Sequence, residues 1–306
     1  MRIRNKQPDN AALNSILIRR PIQRWAWLFL LPTFAAFCIG FLYPFGKGLF
    51  LSFCSFKTTS KWTFVGLQNY AKAIADPSCM HAFWYTALFA LVSLLIINVL
   101  AFAVAYVLTK GIKGSNIFRT VFFMPNLIGG IVLGYIWSMI FDGILTRYGT
   151  SIVLETKYGF WGLIILMLWQ QIGYMMIIYI AGLQAVPGDI LEAAKIDGAS
   201  KWQTLWRITI PNIVPSITIC TFLTLTNSFK LFDQNLALTE GRPFMMQAGG
   251  LTVKTTEMLA LNIVNSFYSN VKTRGIGQAK AVLFFILVAA IGLIQLKATR
   301  SKEVQQ

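Results

Sequence analysis

Six long apolar runs, at residues 25–43, 83–108, 118–141, 160–183, 213–232 and 279–296, are separated by shorter polar connections. Each is close to the roughly 20 residues that carry a helix across about 30 Å of hydrocarbon. The pattern predicts an all-α membrane protein with six transmembrane helices. The apolar stretch 258–267 is too short and too polar to cross, so it is read as a helix lying outside or re-entering. Trp and Tyr gather at the run ends, as in Trp25, Tyr43, Trp84, Trp137 and Trp161, which is the interfacial belt of membrane helices and carries no ligand information.

Composition supports this reading. Hydrophobic residues make up 56 % of the chain and charged residues only 12 %, against about 25 % charged in a soluble domain. Mean hydropathy is +0.61. A net charge of +16 raises the possibility of nucleic acid, but the cations flank the runs and form no stripe that would follow a phosphate backbone. Arg2 to Arg24, Lys110 to Arg119, Lys195 to Arg207 and Lys297 to Lys302 alternate so as to lie on one side. That places both termini in the cytoplasm, with an N-terminal segment 1–24, a transmembrane domain 25–297 and a tail 298–306. Lys57, Lys61, Lys72, Arg242, Lys254, Lys272 and Arg274 fall on the other side and weaken the contrast. The first apolar run starts too late, and is too long, to be a cleaved signal peptide.

The chemistry inside the runs is uncharged. None of the six holds an Asp or Glu in its interior, which disfavours an ion-coupled carrier or a membrane-embedded enzyme, because both need buried ionisable groups. The single histidine, His81, falls in the first outer connection. Four cysteines without CxxC spacing give no metal or redox motif. Asn98, Asn126, Gln170, Gln171, Thr221, Thr224, Thr226, Asn227 and Ser228 offer amides and hydroxyls instead. These suit a neutral, hydroxyl-rich solute, and they equally suit the bonding of one helix to another.

The connection 186–211 has a definite shape. Asp189 and Glu192 read as a capped helix start after Pro187, with Ile190, Leu191 and Ala194 on one face. Asp197-Gly198 breaks that helix. Ser200 and Gln203 form a capping box that restarts it, and Trp202, Leu205, Trp206 and Thr209 share a buried side at helical spacing. Pro211 and Pro215 turn the chain into the fifth run. Two short helices hinged at glycine form a protrusion that docks on a soluble partner or lies on lipid headgroups.

Glu192-Ala193-Ala194, Asp197-Gly198-Ala199 and Pro211 resemble the EAA motif of ATP-binding-cassette (ABC) importer permeases, with Leu205 standing where many members carry Phe. The resemblance extends through Leu31-Pro32, Tyr43-Pro44, Phe64 to Tyr70, Phe123-Met124-Pro125, Ala181 to Pro187 and Leu238-Thr239. It points to the sugar-uptake branch, similar to the larger maltose permease and the glycerol-phosphate permease. Gly241-Arg242-Pro243 departs from that branch's Gly-Gly-Pro.

The resemblance implies a six-helix type I importer permease in a bacterial or archaeal cytoplasmic membrane. Its expected partners are a second homologous permease, a dimer of ABC ATPase subunits and an extracytoplasmic solute-binding protein. Glu192, Ala193, Ala194, Asp197, Gly198 and Ala199 are the implied ATPase-coupling residues. The chain has no GxxxxGK[ST] loop, so ATP and magnesium are expected to act in the ATPase subunits and no cofactor in this chain. In the maltose relative the sugar contacts flank the coupling loop. The positions implied here are Gln170, Gln171 and Tyr174 before it, and Thr224 and Ser228 after it. Glycerol phosphate or another small polar solute is the alternative cargo.

Overall fold

The Asp76 carboxylate accepts a hydrogen bond from the Ser78 amide at 3.0 Å, and Pro77 follows Asp76 directly. A helix starts there because one free amide is capped and the proline position lacks one. This helix, α3, is Pro77–Leu108. At 1.5 Å per residue its 32 residues exceed the hydrocarbon thickness. Its first turns carry His81, which the sequence reading had placed in a loop. The His81 Nε2 lies 3.0 Å from the Thr255 carbonyl oxygen.

The computed structural model describes residues 25–246, 250 and 252–300; the segment 1–24 and the last six residues of the tail lie outside them. Helix α1 is Trp25–Ser52, with a π-helical stretch at Cys38–Leu42. A hairpin of β1 (Cys54–Thr58) and β2 (Lys61–Phe64) and helix α2 (Gln68–Ala75) lead to α3. Then come α4 (Ser115–Phe123), α5 (Gly130–Leu145), α6 (Thr156–Ala185), α7 (Gly188–Ile196) and α8 (Lys201–Asn212). The chain ends with α9 (Val214–Phe229), α10 (Asp233–Leu238), the hairpin β3 (Phe244–Met246) and β4 (Thr252–Lys254), α11 (Leu259–Tyr268) and α12 (Arg274–Arg300).

Among the described residues five helices are long and apolar enough to cross a membrane, and six if the bent pair α8–α9 counts as one. One of the six expected runs is not a single helix. The third breaks at a 3₁₀ turn, Met124–Leu127, followed by extended Ile128 and Gly129. Pro125 removes a backbone donor and its ring crowds the preceding turn, so an unbroken α-helix cannot form there. Ahead of the fifth run, α8 and α9 meet at 70° between Asn212 and Val214, and Pro211 and Pro215 flank this turn as expected. The stretch 258–267 is indeed a helix, α11, with Leu259, Leu261 and Asn262 buried. The two hairpins were not expected.

The core lies between α3 and α6. Ala101 and Ala105 of α3 are fully buried with Phe89 and Ile97, facing Leu166, Met167, Met175 and Met176 of α6. Small residues let the backbones approach, and flexible methionines fill what remains. Gly173 of α6 marks a closer approach, because a Cβ there would overlap the Phe122 carbonyl of α4. By contrast α1 is largely unburied, with its Phe45 ring 5.3 Å from Phe285 of α12.

Candidate functional site: a protruding loop and a polar passage

Helix α7 ends at Ile196 with Asp197 as its C-cap, and Gly198 takes φ +74°. The Ala199 amide donates to the Ala194 carbonyl at 2.9 Å and the Gly198 amide to Lys195 at 3.2 Å. This pair of bonds closes a helix whose chain leaves through a left-handed residue, and glycine takes that conformation without the steric cost of a Cβ. Its chain neighbours aside, no atom of the described residues lies within 4 Å of the position a Gly198 Cβ would occupy. Ser200 then opens α8 as expected. Its hydroxyl accepts from the Gln203 amide at 3.2 Å and its own amide donates to Gln203 Oε1 at 2.8 Å.

Two details differ from the sequence reading. Asp189 is not a cap: Pro187 occupies the N-cap position with no side-chain bond, and Asp189 sits in the first turn. An acid there still favours the helix through its dipole. Trp202 and Trp206 are not buried. They are 67 % and 54 % exposed and meet edge to face at 5.5 Å, while Thr209 is buried and Leu205 half-buried. The cause is a π-helical stretch, Leu205–Thr209, in which the Thr209 hydroxyl donates five residues back to Thr204 at 3.3 Å. One extra residue per turn throws the i, i+3, i+4, i+7 register out of line.

Among the implied coupling residues, Glu192, Ala193, Asp197 and Gly198 are exposed, Ala199 is half-buried and Ala194 is buried. Glu192 makes no hydrogen bond or ion pair among the described residues. The loop thus presents an unpaired carboxylate, small residues and an open glycine bend, held rigid by the closure at Gly198 and the box at Ser200. The arrangement can seat in a cleft and be pushed as a unit.

The five implied solute-path residues separate into two groups. Gln170 is buried; its Nε2 donates to the Ile128 carbonyl at 3.3 Å and its Oε1 accepts from Gln234 Nε2 at 2.7 Å. It therefore binds α6 to the break in the third span and to α10. Gln171 Oε1 accepts from Asn227 Nδ2 at 3.2 Å, and Gln171, Asn227 and Tyr174 are all half-buried. Thr224 and Ser228 are fully buried inside the chain's own bundle. The Thr224 hydroxyl donates to Cys220 O at 2.8 Å and accepts from Asn98 Nδ2 at 3.2 Å; Ser228 donates to Thr224 O at 2.7 Å. The Tyr179 hydroxyl completes this set by donating to Asn98 Oδ1 at 2.8 Å. Of the two readings open for Thr224 and Ser228, helix bonding describes the geometry, because their face of α9 turns toward α3 and α6. Gln171, Tyr174 and Asn227 remain as the accessible polar group. Gln234 was missed because it was counted as part of a loop.

The chain is similar in sequence and in fold to known transport proteins. Residues 97–298 match the family described as binding-protein-dependent transport system inner membrane component. A "Probable starch degradation products transport system permease protein" of Thermoanaerobacterium thermosulfurigenes is 40 % identical over 92 % of this chain and 96 % of its own. A multiple sugar-binding transport system permease of Streptococcus mutans is 31 % identical over 94 % and 99 %, and an sn-glycerol-3-phosphate permease of Brucella abortus 26 % over 89 % and 93 %. A bacterial ABC transporter for import of the acidic polysaccharide alginate shares the fold, with TM-score 0.75 at 20 % identity, covering 93 % of this chain and 98 % of that one.

Proposed function

This chain belongs to the family of binding-protein-dependent transport system inner membrane components, a multi-pass permease subunit of an ABC importer, and on that footing we propose that it forms, with a second homologous permease, the path for sugar or oligosaccharide uptake. The observation that carries the coupling half of this reading is the rigid loop 186–211, with Glu192 unpaired and Gly198 open. An ATPase dimer using ATP and magnesium seats this loop in its clefts, and its closure turns the bundle outward. A solute-binding protein outside then delivers the sugar. Both termini face the cytoplasm, in keeping with the cation bias of the segments on the loop's side.

The sugar half is supported by relatives named for starch products and multiple sugars, at 40 % and 31 % identity. It is supported too by the chemistry of Gln171, Tyr174 and Asn227: amides donate and accept at hydroxyl edges, and one ring offers an apolar platform. A glycerol-phosphate relative exists, but this polar group includes no cation to meet a phosphate. The test is reconstitution of the permease pair, ATPase and binding protein in proteoliposomes, with labelled maltooligosaccharide and sn-glycerol 3-phosphate offered separately. ATP-dependent accumulation of the oligosaccharide is expected. Accumulation of glycerol phosphate alone would overturn the sugar assignment.

A further inference from the structure

Nine cations of the connecting segments, Lys57, Lys61, Lys72, Arg147, Lys157, Arg242, Lys254, Lys272 and Arg274, stand on the face opposite the coupling loop, against the bias that orients the chain. Some are accounted for. Arg242 pairs with Glu240 at 2.9 Å, and Lys72 and Lys254 share a cavity of about 560 Å³ with Asp76 and Glu257. Lys57, Lys61 and Lys272 are different. They line a second cavity, of about 510 Å³, together with Ser55, Trp62 and Thr63. Among the described residues no carboxylate pairs with any of the three. Arg274 braces the wall behind them: its Nη1 donates to the Lys57 carbonyl, its guanidinium stands 6.0 Å from the Phe267 ring centre, and its buried Nε has no hydrogen-bond partner. A pocket with three or four like charges and no acid is self-repelling, which an anion relieves.

The depth of this cavity points to the source of the anion. Strand β1 begins at Cys54, two residues beyond the end of the first span at Ser52. Within that span Phe50 meets Trp62 edge to face at 5.0 Å. On the other wall, Val271 and Lys272 lie at the start of the last apolar segment, Val271–Gln295. The cavity thus opens where two spans leave the hydrocarbon, at the level of the headgroups, with an indole at the interface and ammonium groups above it. We propose that it binds the phosphate of an anionic phospholipid headgroup, with Lys57, Lys61 and Lys272 around the phosphodiester and Ser55 and Thr63 available to its glycerol oxygens.

The test uses the whole importer complex in nanodiscs. Phosphatidylglycerol is titrated into phosphatidylcholine, and retained lipid is counted by native mass spectrometry. Lys57→Gln/Lys61→Gln/Lys272→Gln is compared with Lys113→Gln/Lys201→Gln on the opposite face. The proposal expects the triple variant to bind phosphatidylglycerol about a hundredfold more weakly, with phosphatidylcholine unchanged and the control like wild type. The thermal midpoint in pure phosphatidylcholine should be equal for all three, which separates lost binding from misfolding. Equal phosphatidylglycerol retention overturns the proposal. So does displacement of the lipid by inorganic phosphate, or a triple variant whose only defect is salt-sensitive docking of the solute-binding protein.

Discussion

The Lys280 ammonium lies 2.6 Å from Asp76 Oδ2, tying the first turns of the last span to the cap of the second. The same nitrogen donates to Asn262 Oδ1 at 2.8 Å and Ser266 Oγ at 2.7 Å, so its three protons are all used. Asn262 passes the contact on, donating to Glu257 Oε2 at 2.8 Å. A lysine side chain only 2 % exposed is tolerated because each donor has an acceptor. Asp76→Asn keeps the helix cap but strips the counter-charge. It should cost about 2–4 kcal/mol, less than for a fully buried pair because Asp76 is 31 % exposed. Thermal unfolding of the purified chain checks this, and the double variant with Lys280→Met should lose little beyond Lys280→Met alone. An unchanged midpoint in Asp76→Asn would remove the pair from any structural role.

Gly173 should be intolerant for a packing reason. A Cβ there overlaps the Phe122 carbonyl, which belongs to backbone and cannot swing away. Gly173→Ala is expected to cost about 1–3 kcal/mol as α4 is pushed off α6. Gly188→Ala, in open space, should be near neutral. Comparing the two variants by membrane yield and unfolding midpoint checks the prediction.

The polar residues of α6 and α9 divide by exposure, and so should their mutants. Gln171→Ala and Tyr174→Ala are expected to lower uptake while basal ATP hydrolysis by the assembled complex persists. Thr224→Val takes an acceptor from Asn98 and should lower stability by about 1–2 kcal/mol with the KM for uptake unchanged. A raised KM in Thr224→Val would put that residue back in the path.

Orientation is open to cysteine labelling. Lys61→Cys should react with an impermeant maleimide from outside, whereas Lys113→Cys and Lys201→Cys should react only after the membrane is opened. Native Cys54 and Cys220 are buried and should stay silent. The reverse pattern would invert the topology.

The spans were legible because a membrane demands one thing of a helix, an apolar surface about 20 residues long, and each run supplies it. The breaks were partly written in Pro125, Pro211 and Pro215, but proline position does not give a bend angle. The short strand Cys54–Thr58 carries too little alternation to stand out from a loop. Trp202 and Trp206 were misplaced because a single π-helical stretch, invisible in residue spacing, rotates one turn against the next. The partner of Lys280 lies 204 residues upstream, a distance no local pattern spans. The shape of the loop 186–211 was legible because Gly198 and Ser200 act on their immediate neighbours.

The most direct measurement is on Gly198. Its φ of +74° strains any other residue, and its open, exposed side is where a partner surface would close on the loop. In proteoliposomes holding the whole importer, Gly198→Asp should insert at the wild-type level. It should nonetheless lose both sugar uptake and the stimulation of ATP hydrolysis by the solute-binding protein. Wild-type uptake in that variant would contradict the assignment of residues 186–211 as the link to the ATPase.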